Sequence, residues 1–253
     1  MVYERLDTSG AYCALKPNLY SRDWKSFGTK AELKAEISNI TGIDVSILDG
    51  QSPQSASVAA RMFWASKRVT TRVEDTAYCL MGLFDVNLPL LYGEGEKAFI
   101  RLQEEIMKVS DDHSLFAWKG KIIDNRRKYL YTGLLANSPN CFVDSGNIAP
   151  TRKDHNSIPF ATTNLGLRIE LVLVPHKLQR ELSIAVLDCI DSRDHGGPLG
   201  IQMQRLDVAQ FTRISSDTLS TVSWENSLLE GVTLYSQVLY VRQLWKAEIF
   251  PPA

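Results

Sequence analysis

The sequence predicts an α+β protein in which an N-terminal helical module packs on a C-terminal antiparallel β-sandwich-like module. Three observations predict it. Apolar residues recur with a helical period from Thr29 to about Ser110, and from about Tyr129 to Trp245 they mostly alternate as in strands. Several of those short strands follow one another with no helical pattern between them, which favours an antiparallel sandwich or barrel. The helical module is expected at 18–118 and the β-rich module at 129–247, joined by a polar, charged linker at 119–128. Residues 1–17 carry no assignment, and 248–253 form a tail.

The first helix is expected from Thr29. Thr29 and Glu32 fit the capping box, in which the hydroxyl accepts from one free N–H and the carboxylate reaches back to another. Leu33, Ile37 and Ile40 share a face, and Gly42 supplies the left-handed residue that commonly ends a helix. Asp49 to Pro53 read as a loop. A second helix starts near Ser57, with Val58, Met62 and Ala65 on one side and Phe63 and Trp64 widening the stripe. Lys67 and Arg68 suit the negative end of its dipole. Thr71 and Glu74 form a second capping-box match, and Val73, Ala77, Leu80, Met81 and Phe84 then repeat at helical spacing. Pro89 breaks the pattern. A fourth helix follows Gly95 and runs to about Val109, burying Ala98, Leu102, Ile106 and Val109. In the second half, Gly166 to Val174 is the clearest strand, with Leu167, Ile169, Leu171 and Leu173 on one face. Further strands are expected at Glu181 to Ile190, Leu199 to Leu206, Gln210 to Ile214 and Val238 to Leu244.

Composition narrows the function classes. The 253 residues are 44% hydrophobic and 23% charged, so a packed core is expected. The formal net charge of -1 lacks the basic excess of a nucleic-acid-binding protein. No apolar run is long enough to span a bilayer, and the N-terminus does not read as a secretory signal. Cys13, Cys79, Cys141 and Cys189 are far apart, as are His113, His155, His176 and His195. That spacing fits neither a zinc site nor a disulfide scaffold, and reads as reduced thiols in a cytoplasmic protein.

Three clusters invite chemistry. Gly93, Glu94, Gly95, Glu96 and Lys97 resemble a phosphate loop, but the glycine spacing is wrong and two glutamates would repel the anion. A tight turn entering a helix is the better reading. Asp111, Asp112 and His113 could bind a cation or share a proton. They also lie just past a helix end, where such residues bond local backbone, and a structural turn is favoured. Arg72, Glu74 and Asp75 at a helix start form either a buried polar network, with Trp64 or Tyr78, or a surface for a partner. No catalytic residue, cofactor site or metal site is assigned.

The stretch Ser57 to Trp118 contains RMFWASKR, TTRVEDTAYCLMGLFDV, PLLYGEGEKAFIRLQEEI and SDDHSLFAW. It closely resembles the segment that follows the core domain in fungal heterokaryon-incompatibility (HET) proteins. The stretch from Asn18 to Thr29 resembles the exit of that core. Gly133 to Pro139, Thr163 to Leu171 and Ala185 to Cys189 resemble the β-rich tail. Proteins of that family usually begin with a longer core considered similar to TIR domains, marked by an aspartate- and cysteine-containing strand and a tryptophan-rich RGWTLQE motif. Neither occurs in this sequence. The resemblance therefore implies an accessory or regulatory scaffold in non-self recognition, a form of innate immunity leading to cell death. It implies no catalysis by this chain, and protein partners or other domains of a HET protein as its contacts. The alternative it implies is a fragment of a TIR-like NAD-processing enzyme whose catalytic core is truncated or supplied by another chain. Trp64, Lys67, Arg68, Arg72, Glu74, Asp75, Tyr92, Gly93, Gly95, Lys97, Asp111 and Asp112 are the motif residues expected to make interactions or hold structure.

Overall fold

The computed structural model describes residues 18–21, 23–120, 131–151, 158–176, 179–194, 196–223 and 235–243. Segment 1–17, the tail and all of the expected linker beyond Gly120 lie outside the described residues.

The helical part opens with a ribbon that hydrophobic periodicity does not reveal: β1 (Asn18–Tyr20) pairs antiparallel with β2 (Ser26–Thr29). The Thr29 N–H donates to Glu32 Oε2 at 2.7 Å and the Glu32 N–H to Thr29 Oγ1 at 3.3 Å. That box closes a turn, and α1 (Lys34–Thr41) starts only afterwards. Gly42 ends α1 at φ 71°, left-handed as expected. Next come α2 (Val45–Leu48) and α3 (Val58–Ala65). Ser57 caps α3, its Oγ accepting from the Ala60 N–H at 3.0 Å. The single helix expected from Thr71 to Phe84 is instead two short ones, α4 (Asp75–Tyr78) and α5 (Met81–Phe84). Between them the Leu80 N–H bonds the Ala77 carbonyl at 2.9 Å, a tightened turn that breaks the helical ladder. The amphipathic α6 (Lys97–Val109) buries Ala98, Leu102 and Ile106 as its spacing predicts, but leaves its terminal residue Val109 68% exposed.

The β-rich half closes on itself. The strands β5 (Gly166–Pro175), β6 (Leu182–Val186), β8 (Leu199–Arg205) and β9 (Gln210–Arg213) follow in an antiparallel meander. The last strand, β11 (Tyr235–Val241), pairs antiparallel with β5 and parallel with β9. Those five pairings complete a ring, so the sheet is a barrel rather than the two separate layers of a sandwich. A ring leaves its member strands no free edge along the paired stretches. The short β4 (Ala161–Thr163) and β10 (Ser220–Thr221) add to β5 and β8. The strand expected from Glu181 to Ile190 breaks at Leu187–Asp188, because β7 (Cys189–Asp191) leaves the barrel to pair with β3 (Ile148–Pro150). Along β5, Leu167, Ile169, Leu171 and Leu173 are all buried, matching the alternation in the sequence.

One apolar cluster runs through both halves. It joins Met62, Phe99, Leu102 and Ile106 of the helices to Ile169, Leu171, Ile201 and Phe211 of the barrel. A smaller one gathers Ile37, Ile43, Ile47, Leu48 and Trp64 under the first helices. The segment Ser114 to Trp118, an apolar run, is a 3-10 turn (His113–Phe116) running into Ala117 and Trp118. Its four apolar residues are nevertheless buried at the seam between the helices and the barrel. A short apolar run has no period by which to tell a strand from a turn.

Candidate functional site

The two longest sequence motifs meet at one place, where α4 packs against the loop from Pro89 to Gly95 that leads into α6. Glu74, buried at the start of α4, accepts from the backbone N–H of Gly93 at 2.7 Å and of Gly95 at 3.0 Å, both on Oε1. Gly93 and Gly95 have φ of 102° and 62°, left-handed conformations that a side chain would strain. They turn two N–H groups toward one point, making a small anion nest. The anion in it is the protein's own Glu74. Its carboxyl is held below the usual range by its own backbone N–H, then by those of Gly95 and Gly93, with the Arg72 charge adding to them against partial desolvation. The N–H groups that a phosphate would need are thus already occupied.

Around this nest the remaining polar groups pair with one another. Tyr78 donates its hydroxyl hydrogen to Glu94 Oε1 at 2.9 Å, and its oxygen accepts from the Leu91 N–H at 2.8 Å. Burial, and then the Glu94 carboxylate, push the Tyr78 hydroxyl above its ordinary pKa. Arg101, on α6, holds both Glu94 oxygens at 2.8 Å and donates to the Pro89 carbonyl at 2.7 Å. Tyr92 donates to Asp75 Oδ1 at 3.1 Å. Its ring lies under the Arg72 guanidinium at 4.8 Å and edge-on to Tyr78 at 5.6 Å. The result is a loop fixed at both ends and in the middle, with every bond made inside the site.

Glu74 therefore does not reach back to Thr71 as its capping-box spacing suggests. Its partners lie some twenty residues downstream, beyond any local pattern. The structure brings Arg72, Glu74, Asp75, Tyr92, Gly93 and Gly95 together, with Tyr78, Glu94 and Arg101. Lys97 is exposed at the start of α6. Trp64 lies elsewhere: its indole N–H donates to the Gly42 carbonyl at 3.1 Å, within the smaller apolar cluster. Lys67 and Arg68 lie beyond the end of α3, Lys67 exposed and the Arg68 N–H bonded to the Ala65 carbonyl at 3.0 Å.

Asp111 is exposed, whereas Asp112 is a cap shared by two elements. Its Oδ2 accepts from the Val58 N–H at 2.8 Å, at the start of α3, and its Oδ1 from the Ser114 N–H at 2.9 Å. Ser114 Oγ accepts from the Ala59 N–H at 3.0 Å. The Asp-Asp-His run thus satisfies free donors of α3 and fixes the turn carrying Phe116 and Trp118. His113 is buried, with Nδ1 3.3 Å from Asp188 Oδ2.

Two further residues give no local signal. Arg213, on β9, is fully buried. Its Nη1 donates to the Phe116 carbonyl at 2.9 Å, its Nη2 to the Trp118 carbonyl at 2.6 Å, and its guanidinium lies 4.0 Å from the Trp118 ring centre. Burial brings its pKa down to about 9, so it stays charged at neutral pH. Gln103, also fully buried, donates to the Ala136 carbonyl at 2.7 Å and accepts from the Ala136 N–H at 2.9 Å. A long polar residue at a strand or helix position reads as solvent-facing unless its partners are known.

Residues 97–200 match the model of a family described as a domain of unknown function, DUF8212. This places α6, the seam turn and the first barrel strands in one recognised unit. Ninety residues, 35% of the chain, are 48% identical to vegetative incompatibility protein HET-E-1 of Podospora anserina, and cover 7% of that protein. The similarity supports the relation to fungal heterokaryon-incompatibility proteins that the motifs imply. No solved structure matches the chain. Among the described residues, no helix is long and apolar enough to cross a membrane.

Proposed function

We propose that the chain is an accessory, non-catalytic scaffold region of a fungal non-self-recognition protein, the segment that follows a HET core. It works through protein partners or other domains of such a protein. The observation that carries this reading is the 48% identity to HET-E-1 over 90 residues. The geometry supports it. Glu74, Tyr78, Glu94, Arg101 and Asp112 spend their hydrogen bonds on helix ends, a loop and one another. Groups held in that way position a surface rather than a substrate.

The test is direct. The purified chain is incubated with NAD and nicotinamide release is followed. No release above the protein-free rate is expected. Release that a single substitution in the chain abolishes would establish catalysis and overturn the scaffold reading. Expressing the chain in fungal cells with and without a HET core, and scoring death, then tests its part in incompatibility; death is expected only when the core is present.

A further inference from the structure

We propose that the loop Pro89–Gly95 and the start of α4 form a self-association surface, occupied by a second copy of this chain through an isologous contact. This rests on reading the site as an interaction surface rather than a catalytic one.

The surface is apolar and it is one surface. Val73, Leu90, Leu91 and Tyr92 are each 52 to 54% exposed. They come from two chain segments, which the Glu74 bond to Gly93, the Asp75 bond to Tyr92 and the Arg72 stack on the Tyr92 ring hold side by side. Scattered single apolar residues need no explanation, whereas a contiguous group rimmed by charge marks a contact site.

The surface is also rigid before anything binds. Leu91 is fixed through its N–H on Tyr78, Pro89 through its carbonyl on Arg101, and Gly93 and Gly95 through Glu74. A loop already locked in one conformation loses little entropy on association. Nor do these internal bonds consume the apolar side chains they display.

The charges indicate the occupant. Arg72 and Asp75 flank the Tyr92 ring with opposite signs. A two-fold axis through the patch lets Arg72 of each copy face Asp75 of the other, so the surface is complementary to itself. A partner carrying one sign of charge would meet repulsion from one of the two. The net charge of -1 adds no long-range repulsion between copies. Tyr and Arg at the centre are the residue types that dominate contact energies.

Sedimentation equilibrium of the full chain across a wide concentration range tests this. The weight-average mass is expected to rise from 28.4 kDa toward twice that value. Leu90→Asp and Leu91→Asp alter exposed side chains and keep the backbone bonds. Each should weaken the association at least about tenfold, the scale expected for a central contact residue, without lowering the melting temperature. Val208→Asp, which adds the same charge at an exposed position on the barrel half, should leave the association unchanged. A chain that stays monomeric throughout overturns the proposal, as does a dimer that tolerates both leucine substitutions. Neither result bears on the NAD test, which judges the scaffold reading separately.

Discussion

Replacing Arg213 tests what holds the helices to the barrel. In the wild type its two terminal nitrogens serve the Phe116 and Trp118 carbonyls, and its plane covers the Trp118 ring. Arg213→Met keeps most of the volume and removes both donors. Two buried carbonyls then lose their partner, at about 1–3 kcal/mol each. Loss of the guanidinium over Trp118 adds about 1–2 kcal/mol. Against this stands the relief of no longer burying a charge whose Nε has no partner among the described residues. The balance is a loss of about 2–4 kcal/mol, a large share of the ~5–15 kcal/mol that holds a domain together. Arg213→Lys separates charge from geometry. An ammonium keeps the charge but lacks the fork that spans two carbonyls, so Lys should be no better than Met. Urea unfolding at pH 7 measures both, through the midpoint at constant slope. If Met equals the wild type within about 0.5 kcal/mol, the size of an ordinary surface change, the guanidinium is not what joins the two halves. If Lys restores full stability, charge alone suffices and the fork geometry is irrelevant.

Two more predictions concern the loops. The folded-state pKa of Glu74 is depressed, so its contribution to stability is present above its unfolded pKa and is lost as pH falls through the folded value. Glu74→Gln should therefore be less stable than wild type at pH 7, with the two melting temperatures converging as the pH falls below the ordinary carboxylate range and Glu74 protonates. A gap that stays constant with pH would exclude the carboxylate as the cause. Gly146→Ala would place a Cβ 2.7 Å from the Phe63 ring, which also packs against Gly42, so the ring has little room to turn away. A loss of about 1–3 kcal/mol in chemical unfolding is expected, part of it recovered by Phe63→Leu in the same chain. A double substitution that is merely additive would place the strain elsewhere.

What the sequence made legible depended on whether a partner was near in the chain. The helix start near Ser57, the Gly42 stop, the burial of Ala98, Leu102 and Ile106 on α6 and the alternation along β5 are local, and each is where its pattern put it. The second capping box failed for the complementary reason. Thr71 and Glu74 have the right spacing, yet Glu74 accepts instead from the Gly93 and Gly95 N–H groups. Closure of the barrel was hidden too, because it requires β11 to pair with β5, some 70 residues before it, and with β9 in parallel. Arg213 sits in a strand correctly bounded to within a residue, but its burial depends on carbonyls nearly a hundred positions upstream. The gathering of Arg72, Glu74, Asp75 and Tyr92 was half legible: their charge suggested a network, and only the fold supplies its geometry.

These distances in sequence also separate the motifs by task. The run from Asp112 to Trp118 lies inward. It caps α3, fills the seam and accepts from Arg213, so nearly every atom it offers is consumed by the fold. The run from Pro89 to Gly95 turns its backbone and the Glu94 carboxylate inward. Its carbonyl and N–H groups are tied down by Arg101, Tyr78 and Glu74, while Leu90, Leu91 and Tyr92 remain half in solvent. A loop whose only role was to connect α5 to α6 would gain nothing from leucines in water, and polar residues would serve it at no hydrophobic cost. Apolar side chains on a backbone fixed that firmly are best explained by a surface that covers them. Substitutions in the inward run should therefore act through stability, and those of Leu90 and Leu91 in the outward run through association at unchanged stability.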